Sequence, residues 1–446
     1  MHKVVALVLL ILVALASGCV RGTRNRDATH VVLISIDSLN QRQFATGIRE
    51  GYTPVFAALA EDSLAFSRAY THAPWTTPSH ISMMTGLFPS QHGRTTPYRL
   101  MLASQGSTEL VADYPALPET LAATGYETVA FAGQGPISAR YGLGRGFGRF
   151  EESAKNADQS DLGETLEQLR GWLDQGGDAP FFLFVHTFDL HDPRPPARQD
   201  DREALAYIDR RIGELISMLK ERGLYDGSLI VLTGDHGSEM IRTDGKCCIH
   251  GAGHYEENLK VPLLIKLPGS KLTGAADAIA RHVDLFPTVA DVIGLEIPGY
   301  RGPGVSLLDV ASGDVASAYS FSEADGRCAM RFALVSSRYK YIVTPRGPAQ
   351  SRLLAAPGFR DKYCVGPCKE LPNREEFYDL EADPFEERDL LLDPLEPEQA
   401  RELGAIRAAF ADHRRLAAYF ERRPGVGSDS LDPELAESLR QLGYVE

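Results

Sequence analysis

The segment Val31-Val32-Leu33-Ile34-Ser35-Ile36-Asp37 carries the pattern that decides the fold. Its first six residues are mostly apolar and β-branched, which is typical of a strand covered on both faces in a parallel sheet. Similar apolar runs recur along the chain, at residues 128–132, 181–185, 229–233 and 263–266. The runs predict several buried strands of the same kind.

Helical patterns lie between these runs. In the clearest one, apolar residues recur at spacings of three and four and give one apolar face. These residues are Leu205, Ile208, Ile212, Leu215, Ile216 and Leu219. Strands that alternate with helices predict crossover connections and a parallel sheet, so we expect an α/β fold.

The pattern changes near residue 313. Residues 328–343 alternate as short strands, residues 375–391 are acidic and rich in turn formers, and residues 399–420 form a charged amphipathic pattern. We therefore expect a large α/β domain over residues 30–312. Residues 313–446 are expected to form a smaller α+β subdomain that ends in helices.

Composition excludes several classes of protein. Of the 446 residues, 43% are hydrophobic and 24% are charged, which is the balance of a globular protein with a core. The formal net charge is −14, whereas proteins that bind nucleic acids carry an excess of basic residues, so no nucleic-acid partner is expected. Six cysteines are too few for a disulfide scaffold of this size.

The N-terminal residues predict export. Residues 4–17 are mostly apolar and uncharged, a run of about 14 residues, shorter than the roughly 20 that cross a bilayer and typical of a signal peptide. The run ends in Leu15-Ala16-Ser17-Gly18-Cys19, which resembles a bacterial lipobox. We expect a signal peptide over 1–18, a lipid anchor on Cys19 that attaches the protein to a membrane of the bacterial cell envelope, and a tether over 19–29. The alternative is an ordinary secretory signal.

Two predicted strands end in residues that can bind a metal. Asp37 follows the first run, and Asp235-His236-Gly237 follows the run at 229–233. Ligands in such sheets sit outside the carboxyl ends of the strands. Carboxylate oxygens and an imidazole nitrogen at one edge can hold a divalent cation. Aspartates after strands also cap helices, and that reading remains open on spacing alone.

A third segment is rich in hydroxyl groups, Pro74-Trp75-Thr76-Thr77-Pro78-Ser79-His80-Ile81-Ser82-Met83-Met84-Thr85-Gly86-Leu87-Phe88-Pro89-Ser90-Gln91-His92-Gly93. A hydroxyl at a helix start lies near backbone N–H groups and the positive end of the helix dipole, which suits an anionic ester. Thr76 and Ser79 could equally serve as N-caps.

This segment resembles the signature of the sulfatase family, within the alkaline phosphatase superfamily. The signature reads Cys or Ser, any residue, Pro, Ser and Arg, followed by Thr-Gly-x-x-Pro-x-x-His-Gly. Thr76 takes the position of the nucleophile and His80 that of the arginine, while Thr85-Gly86 and His92-Gly93 match the second half.

Further matches cover nearly all of residues 30–392 in the same order. They comprise the first metal aspartate at Asp37, the active-site histidine at His191, the second metal cluster at Asp235-His236-Gly237, the segment Tyr255-Glu256-Glu257-Asn258 and a C-terminal signature at Phe377-Tyr378-Asp379-Leu380. The resemblance implies an alkaline-phosphatase-like three-layer α/β/α sandwich with a mostly parallel central sheet. A smaller C-terminal α+β region would follow it.

The departures from the family pattern matter for the chemistry. Family members oxidise the Cys or Ser to formylglycine, whose gem-diol releases sulfate, and threonine cannot do this. Similar proteins with a threonine nucleophile include phosphodiesterases and phosphoglycerol or phosphoethanolamine transferases. Ser38 replaces a second aspartate, His236 an asparagine and Leu87 a basic residue. These changes favour a phosphodiester over a sulfate monoester, and manganese or zinc over calcium.

The resemblance therefore implies a metal-dependent hydrolase or phosphotransferase acting on an anionic ester. One divalent ion (Mn, Zn, Ca or Mg) would be held by Asp37, Thr76, Asp235 and His236, with a second ion possible. Thr76 would attack, and His191 would contact the developing charge or protonate the leaving group. His80 is a candidate substrate contact, and His250 and His254 are candidates for a second ion or the leaving group.

Two alternative functions stay open. The first is a sulfuric ester hydrolase acting on a sulfated glycan or a small ester. The second is a non-catalytic binding protein of the cell envelope. The sequence leaves the oligomeric state open.

Overall fold

The computed structural model describes most of the chain: residues 29–95, 114–133, 135–152, 161–177, 179–191, 201–238, 253–297, 300, 302–315, 318–325, 330–345 and 374–422. The expected signal peptide, Cys19, nearly all of the tether, His250 and residues 423–446 of the expected C-terminal subdomain lie outside these residues. Within them, no helix combines the length and the apolar character that crossing a membrane requires.

Eight strands of the described part of the chain form the large sheet. They are β1 (Val31–Ile36), β2 (Leu64–Tyr70), β3 (Glu127–Ala132), β4 (Arg149–Glu152), β5 (Phe181–Thr187), β6 (Leu229–Gly234), β7 (Lys260–Lys266) and β8 (Gly274–Arg281), in the order β4-β3-β5-β1-β6-β7-β2-β8. Every neighbouring pair is parallel except those of β7, which runs antiparallel to both β6 and β2. The expected mostly parallel sheet is confirmed, but the run at 263–266 belongs to its antiparallel strand.

Helices cover both faces of this sheet. In chain order, the α-helices of the described residues are α1 (Gln41–Arg49), α2 (Pro54–Glu61), α3 (Thr76–Thr85), α4 (Pro89–His92), α5 (Leu117–Ala123), α6 (Leu162–Gln175), α7 (Asp201–Glu221), α8 (Glu256–Leu259), α9 (Leu285–Ile293), α10 (Leu307–Ser312) and α11 (Pro397–Arg422). All six residues of β1 are buried, and alternate ones enter two separate core clusters. One cluster contains α1, α2, α6 and α7, and the other contains α3, α5, α9 and α10. This arrangement is the expected three-layer α/β/α sandwich.

The expected apolar face between the strands is present. Helix α7 buries all six of the residues that predicted it. Its face packs in the same cluster as Val32, Ile34 and Ile36 of β1. The spacing of the apolar residues was therefore sufficient to predict both the helix and the side that it buries.

The C-terminal part forms a second, smaller sheet. Strands β9 (Ser320–Asp325), β10 (Met330–Val335), β11 (Tyr339–Thr344) and β12 (Arg374–Asp379) are antiparallel, in the order β12-β11-β10-β9. Helix α11 packs on this sheet through Leu403, Ile406 and Ala409. The expected short strands and the expected amphipathic helix are both found here, and the structure adds that the strands are antiparallel.

A buried group of charges joins the small sheet to the region before β7. Lys340 of β11 lies 3.2 Å from Glu256 of α8 and 2.9 Å from Glu386, with all three side chains buried. Glu386 also accepts a hydrogen bond of 2.5 Å from the main-chain N–H of Glu256. Burial raises the pKa of Glu386 to about 7, with a further contribution from the charge of Glu256. One lysine therefore serves two carboxylates, and Glu386 is the one that keeps a proton more easily.

Candidate active site

The first site residue follows the central strand. Asp37 comes directly after β1 and is fully buried. The next residue, Ser38, has a φ of 63°, a left-handed conformation that serine adopts at a cost of about 1–3 kcal/mol. In this conformation its hydroxyl donates to Asp37 Oδ1 at 2.7 Å, and its main-chain N–H donates to Asp235 Oδ1 at 3.0 Å. The strained turn thus connects the two carboxylates.

The second carboxylate lies beside the first because β6 pairs with β1 in register. Ile36 is opposite Gly234, so Asp37 and Asp235 follow neighbouring strands at the same point. The main-chain N–H of His236 donates to Asp235 Oδ1 at 2.8 Å. A Cβ atom on Gly237 would lie 1.8 Å from the main-chain oxygen of Glu257, so this turn requires glycine.

Helix α3 brings the hydroxyl groups to the same edge. Trp75 is the N-cap and makes no side-chain capping hydrogen bond, so the N-cap role considered for Thr76 and Ser79 is wrong. Thr76 Oγ1 donates to Asp37 Oδ2 at 3.1 Å and lies 3.3 Å from His236 Nε2. Ser79 Oγ donates to the main-chain oxygen of Asp235 at 2.6 Å. Both hydroxyls therefore face the strand ends.

His80 lies one turn further along α3, beneath Thr76. Its Nδ1 is 2.8 Å from the main-chain oxygen of Thr76, and its Nε2 is 2.9 Å from Ser35 Oγ of β1. The side chain is fully buried, and this burial holds its pKa well below the usual value for histidine. A neutral ring thus stands where the family signature has a permanently charged arginine.

His186 sits on a predicted strand, which favours a structural role, but the structure places it in this cluster. It belongs to β5 and is paired in register with Ser35 of β1. Its side chain therefore points to the same face of the sheet as that of Ser35, and His80 of α3 lies on this face. The two rings meet edge to face, with their centroids 4.9 Å apart. His186 Nε2 lies 3.7 Å from Asp37 Oδ2. The available signal was a histidine at the end of an otherwise apolar strand.

The remaining expected histidines differ in position. His191 lies in the turn after β5, half-buried, with its charge close enough to Asp37 to affect that carboxyl. His254 is fully buried, and neither of the two groups of potential metal ligands among the described residues includes it. His250 lies outside the described residues.

The buried carboxylates have opposite pKa shifts. Burial, together with the charge of Asp37, raises the pKa of Asp235 well above its usual value. Burial acts in the same direction on Asp37, but interactions with the neighbouring histidines, of which that with His191 is the largest, outweigh it and hold that pKa well below the usual value. Burial also lowers the pKa of His236. The cluster therefore offers an ionised carboxylate and a neutral imidazole beside the Thr76 hydroxyl.

The part of the chain that forms the large sheet matches a known protein family. The family model "Sulfatase" matches residues 29–295, a range that contains all eight strands of the large sheet. The chain belongs to the sulfatase family. It is therefore a sulfatase-family hydrolase, since members of the family hydrolyse sulfate or phosphonate esters.

Relatives of known activity cover most of this sulfatase-family chain. Arylsulfatase A of Homo sapiens is 26% identical over 430 residues, which is 81% of this chain and 83% of the relative. Delta 4,5-hexuronate-2-O-sulfatase of Bacteroides thetaiotaomicron is 23% identical over 453 residues, covering 84% of this chain and 87% of the relative.

Solved structures share the fold of this family member. A 2-O GAG sulfatase superimposes with a TM-score of 0.67 and 20% identity, covering 92% of this chain and 96% of the other. The phosphonate monoester hydrolase of Silicibacter pomeroyi gives a TM-score of 0.65 and 19% identity, covering 87% and 96%.

The site fits the metal dependence of the sulfatase family. Asp37, Asp235 and His236 each offer a ligand atom, and these atoms lie within 4.8 Å of one another. Asp235 Oδ2 is buried without a hydrogen-bond partner among the described residues. An unsatisfied buried carboxylate oxygen costs free energy that a cation would offset. The donor set of two carboxylates and one imidazole suits a divalent ion.

Proposed function

We propose that this sulfatase-family hydrolase cleaves or transfers phosphate esters, with phosphodiesters favoured, through Thr76 as the nucleophile. One observation carries the proposal. Thr76 Oγ1 lies at the N-terminus of α3 and contacts both Asp37 Oδ2, at 3.1 Å, and His236 Nε2, at 3.3 Å. Asp37 and His236 are also potential ligands of a metal ion, and a hydroxyl that contacts both has the position expected of a nucleophile.

The chemistry of threonine supports phosphorus over sulfur. The side chain has one hydroxyl and cannot form the gem-diol that expels sulfate from formylglycine. A covalent ester on Thr76 must be resolved by water or an acceptor alcohol that attacks the central atom, a route familiar for phosphoryl groups and poor for sulfate. In the first step the bond from Oγ1 to phosphorus forms and the bond to the leaving oxygen breaks.

The side chains supply the proton transfers. The hydroxyl proton of Thr76 already lies in the hydrogen bond to Asp37 Oδ2, which accepts it as attack proceeds. His191 protonates the leaving oxygen or contacts the charge that develops on the phosphoryl group. A divalent ion held by Asp37, Asp235 and His236 would lower the pKa of the hydroxyl and stabilise negative charge on the substrate.

The charge balance supports a substrate with few negative charges. His80 is buried with a lowered pKa, so the arginine position contributes no positive charge. Leu87 is also buried, where many sulfatases have a basic residue. A phosphodiester carries one negative charge, as a sulfate monoester does, whereas a phosphate monoester carries about two.

A sulfatase activity is the second candidate. It is favoured by the relatives, since Arylsulfatase A and the hexuronate-2-O-sulfatase are both sulfatases by name and both align over more than 80% of this chain. On that reading Thr76 would act on a sulfated glycan or a small sulfate ester without oxidation.

Two chromogenic substrates distinguish the candidates. We expect the purified protein with Zn²⁺ or Mn²⁺ to hydrolyse bis-p-nitrophenyl phosphate faster than p-nitrophenyl sulfate. Thr76→Val should lower diester turnover about 10³-fold or more, because it removes the nucleophile and keeps the shape of the side chain. The matched control is Thr77→Val, whose hydroxyl donates to the main-chain oxygen of Pro136 and faces away from the carboxylates.

Three outcomes would contradict the proposal. Equal turnover by wild type and Thr76→Val would exclude the nucleophile. Sulfate turnover well above diester turnover would replace the substrate class. Absence of both bound metal and ester turnover would favour the non-catalytic binding protein.

We also propose that the protein is anchored at the bacterial cell envelope through a lipid on Cys19. The apolar run at residues 4–17 and the lipobox-like segment that ends in Cys19 support this location. Metabolic labelling with a tritiated fatty acid in a bacterial host should label wild type but not Cys19→Ser, and should place only wild type in the membrane fraction. Wild-type protein in the soluble fraction without label would contradict the anchor.

A further inference from the structure

The turn that carries His236 is held in place by a segment distant in sequence. The main-chain N–H of Gly237 donates to the main-chain oxygen of Asn258 at 2.9 Å. The main-chain oxygen of Gly237 lies 2.9 Å from His236 Nδ1 and accepts a hydrogen bond when that nitrogen carries the ring proton. The lone pair of Nε2, 3.3 Å from Thr76 Oγ1, then stays available to a metal ion. The position of Gly237 therefore sets the orientation of the His236 ring.

Helix α8 holds this turn as one unit. The N–H groups of Asn258 and Leu259 both donate to the main-chain oxygen of Tyr255, at 2.9 and 3.0 Å. Asn258 is fully buried, and a Cβ atom on Gly237 would lie 1.8 Å from the main-chain oxygen of Glu257. The helix and the turn are thus in close contact, so a shift of one displaces the other.

The start of α8 is anchored to the small sheet and the segment after it by polar groups. Tyr255 Oη donates to Glu376 Oε2 of β12 at 2.9 Å. The main-chain N–H of Glu256 donates to Glu386 Oε2 at 2.5 Å, and the Glu256 carboxylate lies 3.2 Å from Nζ of Lys340 in β11. All of these side chains except that of Tyr255, which is half-buried, are buried. Buried bonds that involve charged groups hold their partners more firmly than exposed ones do.

We propose that the small sheet positions the active site through α8. Its positioning residues are Glu376, Lys340 and Glu386. The group that they position is the imidazole of His236, a potential metal ligand beside the Thr76 hydroxyl. The inference deepens the proposed function and rests on it in one respect, the participation of His236 in the reaction.

The narrow geometry of metal ligation gives this arrangement an effect on function. An imidazole nitrogen binds zinc at about 2.0–2.1 Å, and partners that orient a ligand account for about 10–100-fold in metal affinity or activity. Without its anchors, α8 can move together with the Gly237 turn while every potential ligand remains in the chain. Loss of the anchors should therefore weaken metal binding in a protein that is still folded.

Two tyrosines provide a matched pair of variants. Tyr255 and Tyr378 both donate a hydroxyl proton to Glu376 Oε2, at 2.9 and 2.7 Å, but only Tyr255 belongs to the segment that leads into α8. Tyr255→Phe should raise the Kd for zinc about threefold, because it removes one anchor of the helix. Tyr378→Phe removes the same kind of bond and should leave this Kd unchanged. Competition with a chromophoric chelator measures both values.

Glu386 provides a stronger perturbation and its rescue. Glu386→Ala removes the acceptor of the Glu256 N–H and should raise the Kd for zinc about tenfold. Glu386→Gln keeps an oxygen that can accept this bond and should bring the Kd to within about threefold of wild type. If Glu386→Ala does not fold, the pair of tyrosine variants still decides the question.

Hydrogen exchange in the presence of a chelator needs neither metal nor turnover. In Tyr255→Phe and Glu386→Ala, the peptide that contains Gly237 should exchange faster than in wild type, because its N–H loses a fixed acceptor on Asn258. Peptides from β1 and β5 should exchange as in wild type, which would show that the large sheet is intact. Wild-type zinc affinity and exchange in both variants would overturn the inference. An equal loss of zinc affinity in Tyr255→Phe and Tyr378→Phe would also overturn it.

The same variants separate this inference from the proposed function. Weaker zinc binding by Tyr255→Phe, together with full turnover by Thr76→Val, would keep the positioning role and remove the nucleophile. Unchanged zinc binding by Tyr255→Phe and Glu386→Ala, with turnover that depends on Thr76, would remove the positioning role and keep the proposed function.

Discussion

The buried charges that join the small sheet to the region before β7 predict a specific dependence of stability on pH. Glu386 has an ordinary pKa of 4.5 in the unfolded chain and a pKa of about 7 in the folded protein. The unfolded chain releases this proton first, so between these values the folded state binds more protons than the unfolded state. The contribution of Glu386 is fully present below pH 4.5 and is lost as pH rises through 7.

The magnitude follows from the shift. The pKa of Glu386 rises by about 2.5 units on folding, and each unit corresponds to about 1.4 kcal/mol, so the shift contributes about 3 kcal/mol to the free energy of unfolding. About 2–3 kcal/mol of this contribution is lost between pH 5 and pH 8. Glu386→Gln removes the titration and keeps the size of the side chain. We therefore expect the free energy of unfolding of wild type to fall by about 2–3 kcal/mol relative to this variant over that range.

Urea unfolding at pH 5, 6, 7 and 8, followed by circular dichroism, measures this difference. A chelator in all samples keeps metal occupancy equal. The matched control is Glu387→Gln, which changes the neighbouring exposed glutamate and should run parallel to wild type. If Glu386→Gln also runs parallel to wild type, the raised pKa and the sharing of Lys340 by two carboxylates are both refuted.

Three further predictions concern the site and its support. Ser79→Ala removes the hydrogen bond to the main-chain oxygen of Asp235. It should lower the free energy of unfolding in urea by about 1–3 kcal/mol and reduce steady-state turnover about tenfold. Unchanged kinetics would show that Ser79 does not position Asp235. Ser38→Asp adds a carboxylate beside Asp37 and should raise calcium affinity relative to zinc about tenfold in competition calorimetry; an unchanged ratio would contradict this. Asp284→Asn breaks the buried ion pair with Arg281, whose charged atoms lie 2.8 Å apart. In urea unfolding it should lower the free energy of unfolding by about 3 kcal/mol. A loss below about 1 kcal/mol would refute this prediction.

The sequence predicted the parts of the fold that depend on continuous patterns. Strands β1, β3, β5, β6 and β7 each contain a mostly apolar run, and α7 has a regular apolar face, so local sequence was sufficient. No continuous apolar run marks β2, β4 or β8 in the sequence. Strand β8 begins Gly274-Ala275-Ala276-Asp277 and is the outermost strand of the sheet. Half of its residues are not buried, so its sequence lacks a strong apolar pattern.

The site was predicted in part for a similar reason. Asp37, Thr76, Asp235 and His236 lie in segments that match the family signature, and the structure brings them together. His186 could not be placed, because its proximity to Asp37 depends on β5 lying next to β1. Strand order is a property of the whole sheet and is not written in any short segment. Likewise, the left-handed turn at Ser38 depends on hydrogen bonds to two strand ends.

The reversed direction of β7 has a consequence for how this protein can acquire new specificities. Strand β6 ends and β7 begins at the edge of the sheet that carries Thr76, Asp37 and Asp235, since the two strands are antiparallel neighbours. The connection between them therefore leaves from that edge and returns to it. Between Asp235-His236-Gly237 and α8, the length and sequence of this connection can diverge among descendants, or be exchanged in the laboratory, without shifting the register of any strand. The sheet can thus preserve one chemistry while this connection varies the molecules that reach it.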